Sequence, residues 1–207
     1  MITIFGGLNS RAPRNIWTLE ELGIPYENKK IDFAAGENKS PAFLKINPSG
    51  KVPAMTDSDG NVVMSESFGI NLYLAQRYGV GKLYPADAAG QAACVQWTLW
   101  VATEVENWAI GMIVERKFKP EPARDAKLAQ AFEDRLAPSL KYLDTCLAGN
   151  SFLVGDTFTV ADLNVACVLG GLNMLKFDWS PYPNLSKWLT ACLARDANKK
   201  VAAMPRP

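Results

Sequence analysis

The sequence predicts two regions of different class, a small mixed α/β unit of order β-α-β-α-β-β-α followed by an all-α region. Three observations carry this. Short β-branched and aromatic runs alternate with helix-period runs as far as Tyr78. Strand signals then stop. Between the halves, Gly79-Val80-Gly81 and Tyr84-Pro85 interrupt the periodicity. The expected boundaries are 1–78 for the first domain, 79–88 for a linker and 89–207 for the helical domain.

Ile2 to Phe5 reads as a strand stopped by Gly6-Gly7. From about Pro13 a helix places Ile16, Trp17, Leu19 and Leu22 on one face, and Gly23 ends it. Pro25-Tyr26 opens a second strand expected to reach Ile31-Asp32-Phe33. After a polar loop, Pro41 begins a short helix to Ile46, Asn47-Pro48-Ser49-Gly50 turns the chain, and a strand runs from Lys51 to Thr56. Asp59-Gly60 marks a hairpin whose return strand is Asn61 to Met64. Ser65-Glu66-Ser67 opens a helix through Ile70, Leu74 and Tyr78. Four helical stretches follow: Gln91 to Phe118, Glu121 to Leu147, one from near Thr159, and one over about Leu185 to Ala194.

Composition narrows the function. The net charge of +1, from 22 basic and 21 acidic residues, leaves no electrostatic footprint for nucleic acid or an anionic membrane. The basic residues near the end (Lys199, Lys200, Arg206) read as a solvated tail. No run approaches a bilayer span of about 20 apolar residues, and the start lacks the pattern of an export signal, so a cytoplasmic protein is expected. Cys94, Cys146, Cys167 and Cys192 form no CxxC pair and read as buried reduced thiols. With no histidine, serine-histidine and cysteine-histidine hydrolysis and histidine-rich metal sites fall away, and no metal is expected.

The residues that carry chemistry lie in the first domain. Gly50-Lys51-Val52-Pro53-Ala54 places a proline at a strand start, which reads either as an edge-strand proline or as a cis proline. A cis bond would turn the Val52 backbone outward to pair with an extended peptide. Glu66-Ser67 follows at a helix start. Glu66 suits a substrate ammonium, and the Ser67 amide and hydroxyl at the positive helix end suit a carboxylate. A capping box is the plain alternative for Ser65 to Ser67, but beside the proline loop the peptide-binding reading is preferred. In the second domain Thr159 and Asp162 read as a capping box, with Phe158 and Leu163 as its hydrophobic staple.

Four motifs occur in order along the chain: Asn9-Ser10 after the first strand, Leu19-Glu20-Glu21-Leu22-Gly23-Ile24-Pro25-Tyr26, Asn47-Pro48-Ser49-Gly50-Lys51-Val52-Pro53, and Ser65-Glu66-Ser67. With Gly155-Asp156 and Thr159-Val160-Ala161-Asp162, they make the chain resemble the cytosolic glutathione transferases over almost its whole length, bacterial members above all. The resemblance implies a thioredoxin-like glutathione-binding domain, an all-helical second-substrate domain and a homodimer. It also implies a detoxifying reaction in which glutathione, as co-substrate, is conjugated to a hydrophobic electrophile. Val52 would hold the cysteinyl backbone, Pro53 would be cis, Glu66 and Ser67 would bind the γ-glutamyl end, and Lys39 and Lys51 would meet the glycyl or cysteinyl region.

For the thiol activator the resemblance leaves two residues. Ser10 lies four residues before Arg14, as the catalytic serine does in several classes, while ungapped alignment back from Gly23 selects Asn9. Ser10 is favoured, and turn or cap chemistry is the plain reading of both. The absence of tyrosine and cysteine from this loop argues against the tyrosine and cysteine classes. Trp97, Glu104, Trp108 and Met112 recur at helical spacing, a stripe that by itself reads as core. The resemblance makes Glu104, Trp108 and Met112 expected second-substrate residues. Glutathione-dependent disulfide or peroxide reduction, and a non-enzymatic interaction module on the same fold, are the alternative functions.

Overall fold

The computed structural model describes residues 1–205, so Arg206 of the basic tail lies outside the described residues. The chain forms two compact units, one of Met1–Leu83 with the segment from Asp196, the other Tyr84–Arg195.

In the first unit the elements are β1 (Ile2–Phe5), α1 (Ala12–Leu22), β2 (Tyr26–Lys29), α2 (Pro41–Ile46), β3 (Ala54–Asp57), β4 (Val62–Ser65) and α3 (Ser67–Tyr78). They give the β-α-β-α-β-β-α order expected from the sequence. The four strands lie in the order β2-β1-β3-β4. β1 runs parallel to β2, with Ile2 opposite Tyr26, and antiparallel to β3, with Phe5 opposite Ala54. β3 pairs antiparallel with β4, Ala54 facing Ser65. Ile2, Ile4, Leu19, Met55, Ile70 and Leu74 form the core, so α1 and α3 are held by apolar side chains that the sheet also buries.

Two strands differ from the expected spans for local reasons. β2 stops at Lys29 because Asp32 Oδ1 accepts the Ala34 and Ala35 amides (2.9 and 3.0 Å), turning the chain off the sheet. β3 begins after Pro53 rather than at Lys51: proline offers no N–H, and Asn47 Nδ2 already takes the Lys51 carbonyl at 2.7 Å. At the other end of the β3–β4 hairpin, buried Asp57 accepts hydrogen bonds from the Tyr73 and Tyr78 hydroxyls of α3 and from the Asp59 amide. Burial pushes its carboxyl up. The bonds from Tyr78, Tyr73 and the Gly60 and Asp59 amides outweigh that and hold it below the usual range. The turn needs Gly60, where a Cβ would lie 2.2 Å from the Tyr73 hydroxyl.

The second unit is helical. α4 (Ala88–Trp100), a π turn (Val101–Val105), α5 (Glu106–Ile113) and a second π turn (Val114–Phe118) follow one another without a break. α6 (Ala126–Cys146) starts later than the sequence indicates, because Asp125 supplies the cap, its Oδ1 accepting the Leu128 amide at 2.9 Å. α7 (Val160–Leu169) and α8 (Pro183–Leu193) complete the unit around a core that includes Ile113, Leu136, Leu140 and Leu163. A last helix, α9 (Asp196–Ala202), packs on α1 in the first unit, where Lys200 Nζ donates to Glu20. Among the described residues no helix is long and apolar enough to cross a membrane, no acidic or cysteine cluster could hold a metal, and no cysteine is in a disulfide; Cys94 and Cys192 are buried as expected, whereas Cys146 and Cys167 are only half-buried.

Candidate functional site

The predicted site residues of the first unit fall on loops at one end of the sheet, after β1, before β3 and at the start of α3. The Val52–Pro53 bond is cis. Among the described residues the Val52 amide and carbonyl have no hydrogen-bond partner, so a half-buried stretch of backbone is left with both groups free to pair. The loop before it is rigid. Asn47 Oδ1 accepts the Ser49 amide and hydroxyl, and Asn38 Nδ2 donates to the Gly50 carbonyl at 3.1 Å. Gly50, at φ 65, is needed there, since a Cβ would stand 3.0 Å from the Asn38 carbonyl. Asn38 thus ties the segment that carries Lys39 to the loop that carries Lys51, and both lysines are exposed.

Gly6 brings the thiol-activating candidates to that loop. A Cβ at Gly6 would lie 3.2 Å from Ser10 Oγ and 3.2 Å from Val52 Cβ, so the two residues flank a backbone position that only glycine fills, at φ 138. Ser10 Oγ donates to the Gly7 carbonyl (2.7 Å) and accepts the Ala12 amide (3.0 Å). Its hydroxyl therefore sits against the positive end of α1. Asn9 is exposed beside it.

The start of α3 is not a capping box. Glu66, at the N-cap position, makes no side-chain cap bond, is exposed, and adopts φ 71, ψ 107. This leaves the first N–H groups of α3 without a side-chain cap, an arrangement suited to an anion. Ser67 is buried. Its hydroxyl accepts from Arg14 Nη1 (3.3 Å) and its carbonyl from Asn15 Nδ2 (2.8 Å). Sequence reading did not single out Arg14 or Asn15 as site residues. The available signal is two polar residues between Ala12 and Ile16 in a run of buried positions on α1.

In the helical unit the stripe of Trp97, Glu104, Trp108 and Met112 does not survive as one face. The π turn at Val101–Val105 changes the residues per turn, leaving Trp97 buried and Glu104 exposed. Met112 is fully buried, whereas Trp108 is half-buried, its ring 6.2 Å from Phe132 and 5.0 Å from the Arg135 guanidinium carbon. Thr159 and Asp162 form the capping box expected from the sequence. Asp162 Oδ2 accepts the Thr159 amide at 2.9 Å, and Oδ1 accepts the Leu153 amide and Trp188 Nε1, each at 2.9 Å. Burial pushes the Asp162 carboxyl up, against these donors.

The sequence matches the glutathione S-transferase N-terminal domain family over residues 11–77 and the C-terminal domain family over 106–196. It is 32% identical over 206 residues to glutathione S-transferase GstB of Escherichia coli strain K12, covering 99% of each chain. Among solved structures it is similar to a glutathione S-transferase-I bound with lactoylglutathione, with a TM-score of 0.89, 28% identity and 98% of each chain covered. The nitrogen regulation fragment of the yeast prion protein Ure2p shares the fold, with a TM-score of 0.86 at 24% identity over 98% of this chain and 96% of that one.

Proposed function

The chain belongs to the glutathione transferase family, and on that footing we propose that it binds glutathione in its first unit, stabilises the thiolate and transfers it to a hydrophobic electrophile. The observation that carries the reading is the unpaired Val52 backbone at the cis Val52–Pro53 bond, with Ser10 and Val52 on either side of Gly6. A peptide paired with Val52 would bring its cysteinyl sulfur towards Ser10. Its γ-glutamyl carboxylate would meet the uncapped start of α3 and Ser67, and its ammonium would meet Glu66. Lys39 and Lys51 supply positive charge for the glycyl end.

A free thiol, with a pKa near about 8.5, is mostly protonated at neutral pH. For Ser10 to favour the anion, its O–H turns from the Gly7 carbonyl to the sulfur, while the Ala12 N–H keeps polarising the oxygen. Asn9 on the same loop is the second candidate. Holding the thiolate beside its electrophile supplies much of the remaining acceleration. In the helical unit Trp108 offers a half-buried ring to an apolar electrophile, with exposed Glu104 earlier on the same helical stretch and Met112 packing from within the core. Family membership also carries the expectation of a homodimer, which light scattering tests. Exposed Val95 and Leu99 on α4 give it an apolar face.

The test is conjugation of glutathione to a chloronitrobenzene across pH, with calorimetric binding measured in parallel. Ser10→Ala is expected to lower kcat by roughly 100-fold with glutathione binding retained, the scale seen when an anion-stabilising donor is removed. The same result for Asn9→Ala alone would move the role to Asn9. A wild type that binds glutathione without conjugating would direct assay to disulfide and peroxide reduction. A wild type that binds none would overturn the reading in favour of an interaction module.

A further inference from the structure

Two residues of α1 that take no part in this chemistry hold the end of α3 that does. Asn15 is fully buried, and its Nδ2 donates both to the Ser67 carbonyl (2.8 Å) and to Asn71 Oδ1 (2.7 Å). Its Oδ1 is buried with no donor among the described residues. A buried amide that leaves its acceptor unmatched is a loss for folding alone, so its donor side is what the position is for. Beside it, the buried Arg14 directs Nη1 at the Ser67 hydroxyl (3.3 Å), with its guanidinium carbon 4.9 Å from the centre of the Phe68 ring.

The segment gripped this way begins at Glu66, at φ 71 and ψ 107. A non-glycine residue keeps such a conformation only where its surroundings over-determine it. The exposed Glu66 side chain makes no cap bond, so the hold comes from the next residue, through Ser67. We propose that Asn15 is a positioning residue for the γ-glutamyl end of glutathione. By fixing the Ser67 carbonyl it keeps Glu66 in the backbone conformation that leaves the first N–H groups of α3 and the Glu66 carboxylate turned to the ligand. This rests on the glutathione reading above. It divides the labour on α1 and its entry loop: Asn15 sets affinity and Ser10 sets reactivity.

The experiment compares wild type, Asn15→Ala and Leu74→Ala, the last a cavity in the same helix pair that leaves the Ser67 anchor intact. Each is measured for urea stability, glutathione Kd, kcat at saturating glutathione, and the pKa of the bound thiol by thiolate absorbance. Asn15→Ala is expected to weaken glutathione binding by about tenfold, the scale of one buried hydrogen bond, with kcat and thiol pKa unchanged. Leu74→Ala is expected to lose stability and keep its Kd. If folded Asn15→Ala binds with the wild-type Kd, or if Leu74→Ala loses affinity equally, the proposal is overturned. Should Asn15→Ala not fold, Asn15→Leu keeps the buried volume and removes the donor to the Ser67 carbonyl. A comparable loss of affinity then supports the hold and an unchanged Kd overturns it. The glutathione reading itself fails separately, on a wild type that binds none.

Discussion

Two helix starts in this chain carry similar sequence signals and opposite structures. At Thr159–Asp162 side chains close the helix start from within. The carboxylate takes the Thr159 amide, the Leu153 amide and the Trp188 indole, with Thr159, Asp162 and Trp188 all buried. At Glu66–Ser67 the N-cap side chain is exposed and bonds to nothing in the cap, while the backbone sits in a conformation that favours glycine. The first arrangement holds a helix in place. The second leaves polar groups of a helix end open and transfers the holding to α1, which is the arrangement a ligand site needs.

This contrast is most easily broken at Asp162. Asp162→Ala strands the buried Thr159 amide and Trp188 indole and the part-buried Leu153 amide, each costing about 1–3 kcal/mol, and is expected to remove about 3 kcal/mol or more of stability in urea unfolding. Glutathione affinity of the folded fraction should not change. An affinity loss matching the stability loss would erase the distinction between the two sites. Glu66→Gly should do the reverse. It relieves the backbone at φ 71 and removes the carboxylate, so we expect stability to rise by about 1 kcal/mol while the KM for glutathione rises by about tenfold. A fall in stability with an unchanged KM would mean that Glu66 is structural.

Thr159→Ala sharpens the cap side of the comparison. It removes the hydroxyl that accepts the Ala161 amide but leaves Asp162, and should cost about 1 kcal/mol, well short of the Asp162 effect. The smallest effect is expected at the far end of α3, where Asp57 is fastened to Tyr73 and Tyr78. Its folded pKa is lowered, so its stabilisation is present above the unfolded value of about 3.9 and is lost as the pH falls through the folded value. Melting curves from pH 5 down to about 2 should show Asp57→Asn losing less stability than wild type over that interval. A parallel decline would remove Asp57 from the acid response.

What could be read without a structure was local. Asn47-Pro48-Ser49-Gly50-Lys51-Val52-Pro53, Glu66-Ser67 and Thr159–Asp162 are each a few residues long, and their meaning follows from turn geometry, proline's missing N–H and helix-end dipoles. The strand and helix order was legible for the same reason, since side-chain periods of two and about 3.6 repeat within a single element. The stripe through Trp97, Glu104, Trp108 and Met112 assumes one helical period, and the π turn at Val101–Val105 changes that period without an obvious residue signal.

The sequence by itself determined the α/β-then-α class, the turn and proline before the third strand, the helix start at Ser67 and the cap at Thr159, because each is fixed by interactions between near neighbours, while the structure decided between a cis and an edge-strand proline. Only the tertiary structure decided that Trp188 completes the Asp162 cap, that Asn15 and Arg14 grip Ser67, and that α9 returns to α1. These partners lie between 26 and 180 residues apart in the chain. Their meeting depends on how the elements pack, and packing is a sum over many weak apolar contacts that no short stretch of sequence contains.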